Sequence, residues 1–321
     1  MKKLMFALST LAVLSACSDE SSKSEMDVQA DVANQKVASR TCASDDVLKL
    51  QLSENPALAS TMADIDAHAE LFEKTQAKLV NGTIVIPVVV NVLYRTAAEN
   101  ISLAQIQSQI DVLNKDFNAQ NSDFTQVPAL FSSVKANVGI KFELETVNRK
   151  QTSKSSWGTR DAMKKSTGIL PTSPTTKLNL WVCTIGSGIL GYAQFPGGSS
   201  ATDGVVIDSR YFGDIGTATS PFNLGRTATH EVGHWMNLRH IWGDGGGCLT
   251  DYVDDTPFHN APNYGIAAYP HYSTCTGNPV EMTMNYMDYS DDRGLYMFTE
   301  GQKNRMLSIF SPGGARYSFA Q

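Results

Sequence analysis

Three of the six histidines of this 321-residue chain lie in one string of eleven residues, HEVGHWMNLRH, which begins at His230. His230 and His234 are four residues apart, so on a helix both imidazoles would lie on one face and could bind one metal ion, as a zinc site requires. Glu231 would lie about 100° further round the helix, near the open coordination position of that ion. This geometry suits a general base that acts on metal-bound water. The alternative is a solvated helix with scattered histidines.

The third histidine of the string, His240, needs a break in the helix. It lies six residues after His234, which is about 600° of helical rotation, so a continuing helix would direct it away from the metal. The helix must therefore end, and the chain must turn back, before His240. Such a turn usually contains a residue in the left-handed region, most often glycine and next most readily asparagine. Asn237 stands at the appropriate place, and we expect it to adopt that conformation.

Further motifs support a family resemblance. The pattern H-E-x-x-H-x-x-N-x-x-H resembles the metzincin zinc signature, with Asn237 replacing the customary glycine. The string MNYMDYSDD, at positions 284–292, resembles a metzincin Met-turn. Together with IWGDGGGC, DYVDDTP and FTEGQKNRM, these motifs resemble one metzincin family in particular, the pappalysins, over roughly residues 82–321.

The resemblance implies roles for individual residues. It assigns zinc binding to three ligands, His230, His234 and His240. It makes Glu231 the general base and places Met287 as an apolar floor beneath the zinc histidines. Tyr289 matches a tyrosine that lies near the metal in related enzymes and would help to stabilise the oxyanion. The alternative for Tyr289 is a packed aromatic side chain with a satisfied hydroxyl group.

These roles imply a zinc-dependent endopeptidase that is made as a latent precursor. It would hydrolyse bonds in protein or peptide substrates by Glu-assisted attack of zinc-bound water. The chain contains no G-x-S-x-G or other nucleophile signature that would compete with this reading. Two other functions stay open: a non-catalytic peptide-binding surface lipoprotein on the same fold, and a zinc hydrolase of a non-peptide amide. The intact Glu231 argues against the first, because a binding protein has no need of that carboxylate.

Cys42 lies in the polar string SRTCASDD, about forty residues before the first predicted strand of the catalytic part. That distance would let the segment fold back into the cleft, where a thiolate is a better zinc ligand than water. Pappalysin-like precursors use such a cysteine for latency, so the resemblance makes Cys42 a candidate zinc ligand of the latent form. The alternatives are a spare exposed thiol and a bridge to Cys183.

The stretch after His240 is rich in turn residues. Cys248 and Cys275 bracket it, and in an exported protein we expect them to form a disulfide; pappalysins carry a similar bridge. The string DYVDDTP supplies four candidate ligands for a structural calcium ion, Asp251, Asp254, Asp255 and Thr256. The resemblance also implies calcium near this loop. The alternative is a solvated acidic turn, because the string does not match EF-hand spacing.

The first seventeen residues combine two lysines, an apolar run and the string LSAC, which resembles a bacterial lipobox ending at Cys17. We therefore expect an exported protein, lipid-anchored through Cys17 to the bacterial envelope or cell surface and open to release by processing. An ordinary secretory peptide with an incidental cysteine is the alternative. The net charge of −6 gives no reason to expect nucleic acid as a partner. Beyond the anchor we expect no membrane contact, and we expect a monomer.

The elements that position these residues follow from hydrophobic periodicity. Four strands are predicted, at 83–94, 140–147, 178–184 and 203–208. Pro87 indicates either an edge position or an irregular start for the first of them. Helices are predicted over a weak stripe at 53–78, behind a capping box at Ser102, through the zinc motif, and from Thr299 with another capping box.

Strand, helix, several strands and helix in this order predict an α+β fold. In the terms of the resemblance it is a metzincin-like zincin, with a mixed twisted sheet, a backing helix and an active-site helix, followed by a loop-rich C-terminal subdomain. The predicted segments are a signal peptide at 1–17, a tether and pro-segment at 18–80, an N-terminal catalytic subdomain at 81–240, and a C-terminal subdomain with the Met-turn and final helix at 241–321.

Overall fold

The β-branched runs of the sequence assemble into one five-stranded sheet. A computed structural model describes residues 39–75 and 83–320, which belong to one compact unit. The strands are β1 Ile84–Tyr94, β2 Ile140–Gln151, β3 Leu178–Cys183, β4 Gly191–Ala193 and β5 Val205–Asp208. Their order is β2-β1-β3-β5-β4, and every pair is parallel except β4 with β5. The sheet is therefore mixed, as predicted, and the short edge strand β4 is the one that sequence patterning missed.

Pro87 does not mark an edge strand, because β1 pairs with β2 on one side and β3 on the other. Pairing with β3 begins only at Val88, so β2 is the only strand beside Pro87. The missing N–H of Pro87 therefore breaks no hydrogen bond on the β3 side. The register against β2 also shifts between Val88 and Val89. The irregular start was thus the correct alternative, and the edge position was wrong.

Five α-helices lie in the described ranges and surround the sheet: α1 Ser44–Glu54, α2 Ala57–Thr75, α3 Leu103–Asp116, α4 Arg226–Trp235 and α5 Glu300–Ser308. Short 3-10 helices occupy Ser122–Gln126, Ala129–Phe131, Ala162–Lys164, Ser200–Thr202, Ser209–Tyr211, Asp292–Gly294 and Tyr317–Ala320. Both predicted N-caps form, but only the one at Thr299 is a full capping box, because the Gln105 side chain bonds the Phe212 carbonyl and Thr217 instead. Ser102 accepts a hydrogen bond from the Gln105 amide, and Thr299 and Gln302 close a full capping box. Helices α3 and α4 pack on one face of the sheet, where alternate residues of β1 are fully buried.

The weak helix predicted at 53–78 corresponds to α2, and a further helix, α1, precedes it. Helix α2 buries a stripe at spacings of three and four, Leu58, Met62, Ile65, Ala69 and Phe72, and packs against α5. Helix α1 escaped prediction because it buries few side chains, of which only Val47 and Leu48 are apolar. Both helices precede the catalytic strands, so they belong to the predicted pro-segment.

The part of the chain after His240 is dominated by loops, with α5 as its one α-helix in the described residues. The predicted disulfide between Cys248 and Cys275 is present, whereas Cys42 and Cys183 are separate, buried thiols. None of the helices in the described ranges is long and apolar enough to cross a bilayer. The predicted signal peptide, Cys17 and most of the tether lie outside the described residues, and the subdomain boundary at 240 stays a prediction.

Candidate active site

The string HEVGHWMNLRH begins in α4 and ends beyond it. The helix stops at Trp235, and Asn237 has a φ of 76°, in the left-handed region that the sequence predicts for it. The Leu238 amide then donates to the Gly233 carbonyl at 3.0 Å, which closes the turn. The chain reverses here, and His240 returns to the face of the helix that carries the other two histidines.

The three imidazoles converge on one point. The Nε2 atom of His234 lies 3.2 Å from that of His230 and 3.1 Å from that of His240. The Sγ atom of Cys42 joins them, and these four donor atoms all lie within 4.8 Å of one another. All four side chains are buried. Three imidazole nitrogens and one sulfur around a common centre are a donor set that fits four-coordinate zinc.

The outer nitrogen of each imidazole has its own partner. His230 Nδ1 lies 2.7 Å from the Tyr286 carbonyl oxygen, and His234 Nδ1 lies 2.8 Å from that of Leu238. His240 Nδ1 pairs with the Asp244 carboxylate. Donation from Nδ1 leaves each Nε2 lone pair free to face the centre, which is how neighbouring groups orient metal-binding histidines.

Burial keeps two of the histidines uncharged, which a metal ligand requires. It lowers the pKa of both His230 and His234 well below the usual value, so their imidazoles are neutral. The Trp242 ring stacks on His240, with 4.3 Å between ring centroids. Asp244 and Trp242 were not singled out from the sequence. A carboxylate four residues after a predicted histidine ligand was the signal available for Asp244.

Glu231 faces the same centre without joining the donor group. Its Oε2 atom accepts hydrogen bonds from Cys42 Sγ at 3.2 Å and from Ser44 Oγ at 2.8 Å. Burial raises the pKa of Glu231 to about 7, although both hydrogen bonds favour the carboxylate. Strand β4 crosses directly above, and a Cβ on Gly191 would lie 3.0 Å from Glu231 Cγ. The absence of a side chain at Gly191 therefore lets the edge strand approach the helix.

Met287 and Tyr289 lie beside the histidines. Met287 is fully buried, and a Cβ on Gly233 would lie 2.6 Å from its Sδ atom, so the methionine packs directly on α4. The Tyr289 ring centroid lies 5.0 Å from that of His240. Its hydroxyl donates to the Cys42 carbonyl at 3.1 Å and accepts from the Cys42 amide at 3.3 Å. The hydroxyl therefore meets backbone groups of the pro-segment.

Residues 41–43, just before α1, run alongside β4 and pair with it at the edge of the sheet. Cys42 pairs with Gly191 in a parallel bridge, with hydrogen bonds from Leu190 N to Thr41 O and from Ala43 N to Gly191 O. Ser44 Oγ accepts the Ala193 amide at 2.8 Å. The pro-segment thus occupies the edge of the sheet nearest the metal-binding residues.

Arg40 fills a buried pocket next to this segment and is 2% exposed. Its guanidinium pairs with Asp292 Oδ1 at 2.6 Å and donates to the Ser290 carbonyl at 3.2 Å. The other Asp292 oxygen accepts the Leu224 amide at 2.7 Å, just before α4 begins. One oxygen of Asp292 therefore accepts a hydrogen bond at the start of α4, and the other pairs with Arg40. Sequence patterning missed this pair, because the two residues are far apart in the chain.

The four candidate calcium ligands do not converge. The Asp251 carboxylate accepts hydrogen bonds from the Thr256 hydroxyl and the Val253 amide, and Asp255 accepts the Gly301 amide. Asp254 does not join them, since the only cluster of metal-binding side chains in the described ranges is the one at Cys42 and the histidines. The solvated-turn alternative also fails for Asp251, which is 4% exposed. Calcium stays a prediction without support from these contacts.

Comparison with known proteins gives consistent matches. The family model described as peptidase M43, pregnancy-associated plasma protein-A, matches residues 178–311. An extracellular metalloprotease of Colletotrichum graminicola is 36% identical over 253 residues, which span 74% of this chain and 82% of that protein. One of Pyricularia oryzae is 35% identical over 67% of this chain and 70% of its own.

Two solved structures from Tannerella forsythia are also similar. Mature mirolysin in complex with a cleaved peptide is 44% identical, with a TM-score of 0.72, and the match covers 74% of this chain and 95% of that one. A promirolysin mutant is 40% identical, with a TM-score of 0.80, and the match covers 87% of this chain and 97% of that one.

Proposed function

The chain belongs to the pappalysin family of zinc metallopeptidases, the family of pregnancy-associated plasma protein-A, and on this premise we propose how its own residues cut peptides and how they are kept from doing so. It is a zinc metalloendopeptidase, and its curated relatives are named extracellular, so it is an exported enzyme. Its substrates are proteins or peptides. Lipid anchoring through Cys17 and a monomeric state remain our predictions.

The zinc ligands of the active enzyme are His230, His234 and His240. The observation that carries this assignment is the convergence of their Nε2 atoms, each oriented by a partner on Nδ1. When bound there, zinc would lower the pKa of a coordinated water and polarise the scissile carbonyl. Three protein ligands leave one position open for chemistry.

Glu231 is the general base. Its Oε2 atom lies 3.2 Å from the thiol that occupies the fourth position of the donor group, so it is within reach of a water in that position. Glu231 takes a proton from the attacking water and passes it to the leaving amine. In the precursor, where Cys42 and Ser44 cover it, burial raises the pKa of Glu231 to about 7.

Tyr289 assists at the substrate carbonyl. In the precursor its hydroxyl bonds both the amide and the carbonyl of Cys42, which are the backbone groups that a bound peptide would also present. Once the pro-segment leaves, this hydroxyl is free to donate to the oxyanion that develops during attack.

Latency rests on Cys42 and Ser44 together. Cys42 takes the fourth position among the donors, which excludes water from it. Ser44 Oγ donates a hydrogen bond to Glu231 Oε2 at 2.8 Å, which blocks the oxygen that would otherwise accept a proton from water. Promirolysin matches a larger share of this chain than mature mirolysin does, 87% against 74%, and this supports residues 39–75 as a pro-segment.

The substrate carries a basic side chain next to the scissile bond. Arg40 pairs with Asp292 in a buried pocket two residues from Cys42, so the pocket already accommodates a guanidinium beside the metal-binding residues. When Arg40 leaves, the Asp292 oxygen would otherwise be a buried carboxylate without a cation, which is costly. A substrate arginine or lysine restores the pair.

A peptide library cut by the activated enzyme, with and without a zinc chelator, tests these assignments. We expect cuts beside arginine or lysine that chelator abolishes, and no cuts by Glu231→Gln. In Asp292→Asn the amide oxygen can still accept the Leu224 amide while the charge is lost, so the basic preference should fall about tenfold or more; thermal unfolding accompanies this variant, because its precursor leaves the buried Arg40 without a carboxylate. Cleavage indifferent to neighbouring charge would overturn the pocket assignment, and cleavage that survives the chelator would overturn the zinc mechanism.

A further inference from the structure

Helix α4 ends inside the protein, where its last carbonyl groups need donors. The four C-terminal carbonyls of an α-helix have no partner within the helix, and burial makes an unpaired carbonyl costly. Backbone amides serve the carbonyls of Val232, Gly233 and His234, whereas two arginines serve the last helical carbonyl and one in the turn that follows it. Arg316 Nε donates to the Trp235 carbonyl at 3.0 Å, and Arg305 Nε donates to the Asn237 carbonyl at 2.7 Å. Cationic donors at this end also complement the helix dipole.

Of these two contacts, the one made by Arg305 lies at the reversal of the chain. Asn237 is the left-handed residue between His234 and His240. The next residue, Leu238, faces His234 Nδ1 with its carbonyl and donates its amide to Gly233. A shift of the turn would therefore move the partner that sets the His234 tautomer, and it would move His240 away from the centre.

Arg305 is itself held on several sides. It is 5% exposed, and its guanidinium carbon lies 5.3 Å from the centroid of the Tyr252 ring. Its Nη2 atom pairs with Asp66 of the pro-segment helix α2. The contact to Asn237 uses Nε, so one side chain makes two separable contacts, one to the metal-binding turn and one to the pro-segment.

We propose that Arg305 is a positioning residue for the metal site, because it fixes the carbonyl of the turn that brings His240 to His230 and His234. This inference rests on the proposed zinc ligands. It adds a residue that touches neither metal nor substrate, and it separates the turn contact from the docking of the pro-segment.

The test is the affinity of the full chain for cobalt, measured against a competing chelator together with the visible spectrum of the bound ion. Arg305→Met should weaken cobalt binding about 10-fold and change the spectrum, because it loosens the turn that carries the outer hydrogen-bond partner of His234. Arg305→Lys should recover part of the affinity, since an ammonium can donate one hydrogen bond to the carbonyl. Asp66→Asn should leave the affinity within twofold, because the Nε contact remains.

Arg149→Met is the matched control. Arg149 also donates to a backbone carbonyl, that of Ile101, but it belongs to β2 and should not change cobalt binding. Circular dichroism and thermal unfolding accompany each variant. If Arg305→Met does not fold, Arg305→Lys takes its place, and hydrogen exchange is measured at its Leu238 amide. We expect faster exchange that is confined to the turn.

Several outcomes would overturn the proposal. One is an Arg305→Met protein with wild-type affinity and spectrum, whatever its melting temperature, since the role would then be structural only. Another is an Arg305→Lys protein in which exchange at the Leu238 amide is faster while cobalt affinity and spectrum stay as in wild type, since the turn contact would then not act on the metal site. A wild-type chain that binds cobalt no better than His240→Ala would instead refute the zinc ligands themselves, and so the two failures are distinguishable.

Discussion

Two segments bury polar side chains in the same cleft, and they are held there in different ways. The ligand turn, residues 230–240, finds its partners outside the predicted pro-segment. They are the carbonyls of Tyr286 and Leu238 and the Asp244 carboxylate. The pro-segment stretch, residues 40–44, instead bonds groups that catalysis would use, namely Glu231, Tyr289, Asp292 and the edge of β4.

The first set of contacts builds the metal site, whereas the second set blocks it. The ligand turn keeps its partners when the pro-segment leaves, so its geometry should survive activation. The contacts of residues 40–44 with Glu231, Tyr289, Asp292 and β4 are with groups that substrate, water or metal would otherwise engage. Damage to the first segment should therefore abolish the site, whereas damage to the second should release it.

The largest effect is expected for Glu231→Gln in the activated enzyme. Loss of a general base should lower kcat/KM about 10²–10⁴-fold, while zinc content and melting temperature stay close to wild type because Glu231 is not a ligand. Steady-state kinetics and metal analysis check this, with Glu143→Gln on the exposed face of β2 as a control that should change nothing. Near-normal turnover in Glu231→Gln would mean that the base is a different group.

The next effect tests the partners of the ligand turn. Asp244→Asn should weaken zinc binding about 10–100-fold, because the partner of His240 Nδ1 loses its charge. His240→Ala should lose both zinc and activity, which gives the upper limit for the same measurement. If Asp244→Asn binds zinc as tightly as wild type, the carboxylate is not part of the metal site.

Opposite behaviour is expected when the pro-segment stretch is damaged. Cys42→Ala in the uncut precursor should raise activity, and Cys42→Ala with Ser44→Ala should raise it by roughly a further tenfold, since a hydrogen bond to a charged group contributes about 1.5–3 kcal/mol. Initial rates on precursor shown by mass spectrometry to be intact measure this. Ser53→Ala, which loses a hydroxyl bonded to the Leu50 carbonyl, is the control.

The double variant also decides between Cys42 and Ser44. A precursor with both substitutions that stays as silent as wild type until it is cut would place latency in some other part of residues 39–75. Equal activity of the single and double variants would remove Ser44 from the mechanism while leaving Cys42 in it.

The smallest effect is expected at the turn itself. Asn237→Gly should be neutral or stabilising by up to about 1 kcal/mol, because glycine adopts a positive φ freely. The substitution also removes the Asn237 Nδ2 group, which is buried without a hydrogen-bond partner. Asn237→Val should be destabilising by about 1–2 kcal/mol, since a β-branched residue resists this conformation. Thermal unfolding distinguishes them, and identical melting temperatures would contradict the role assigned to the left-handed turn.

The sequence alone was enough wherever the cause is local. Histidines four residues apart share a helix face, an asparagine three residues after His234 takes the left-handed turn, and Thr299 with Gln302 closes a capping box, because helical periodicity and capping depend on a few neighbouring residues. The disulfide between Cys248 and Cys275 was also predictable, since the stretch between them has few elements of its own.

Tertiary structure decided the contacts between distant segments. Asp292 receives Arg40, and Arg305 reaches Asn237, across separations that periodicity does not describe. The acidic string at 251–256 is a case in which composition did not determine the contacts of the side chains. Its composition suits calcium, yet Asp251 and one oxygen of Asp255 accept hydrogen bonds from the protein's own donors and Asp254 is exposed, because the direction of a side chain in a loop is set by what packs around it and not by its neighbours in sequence.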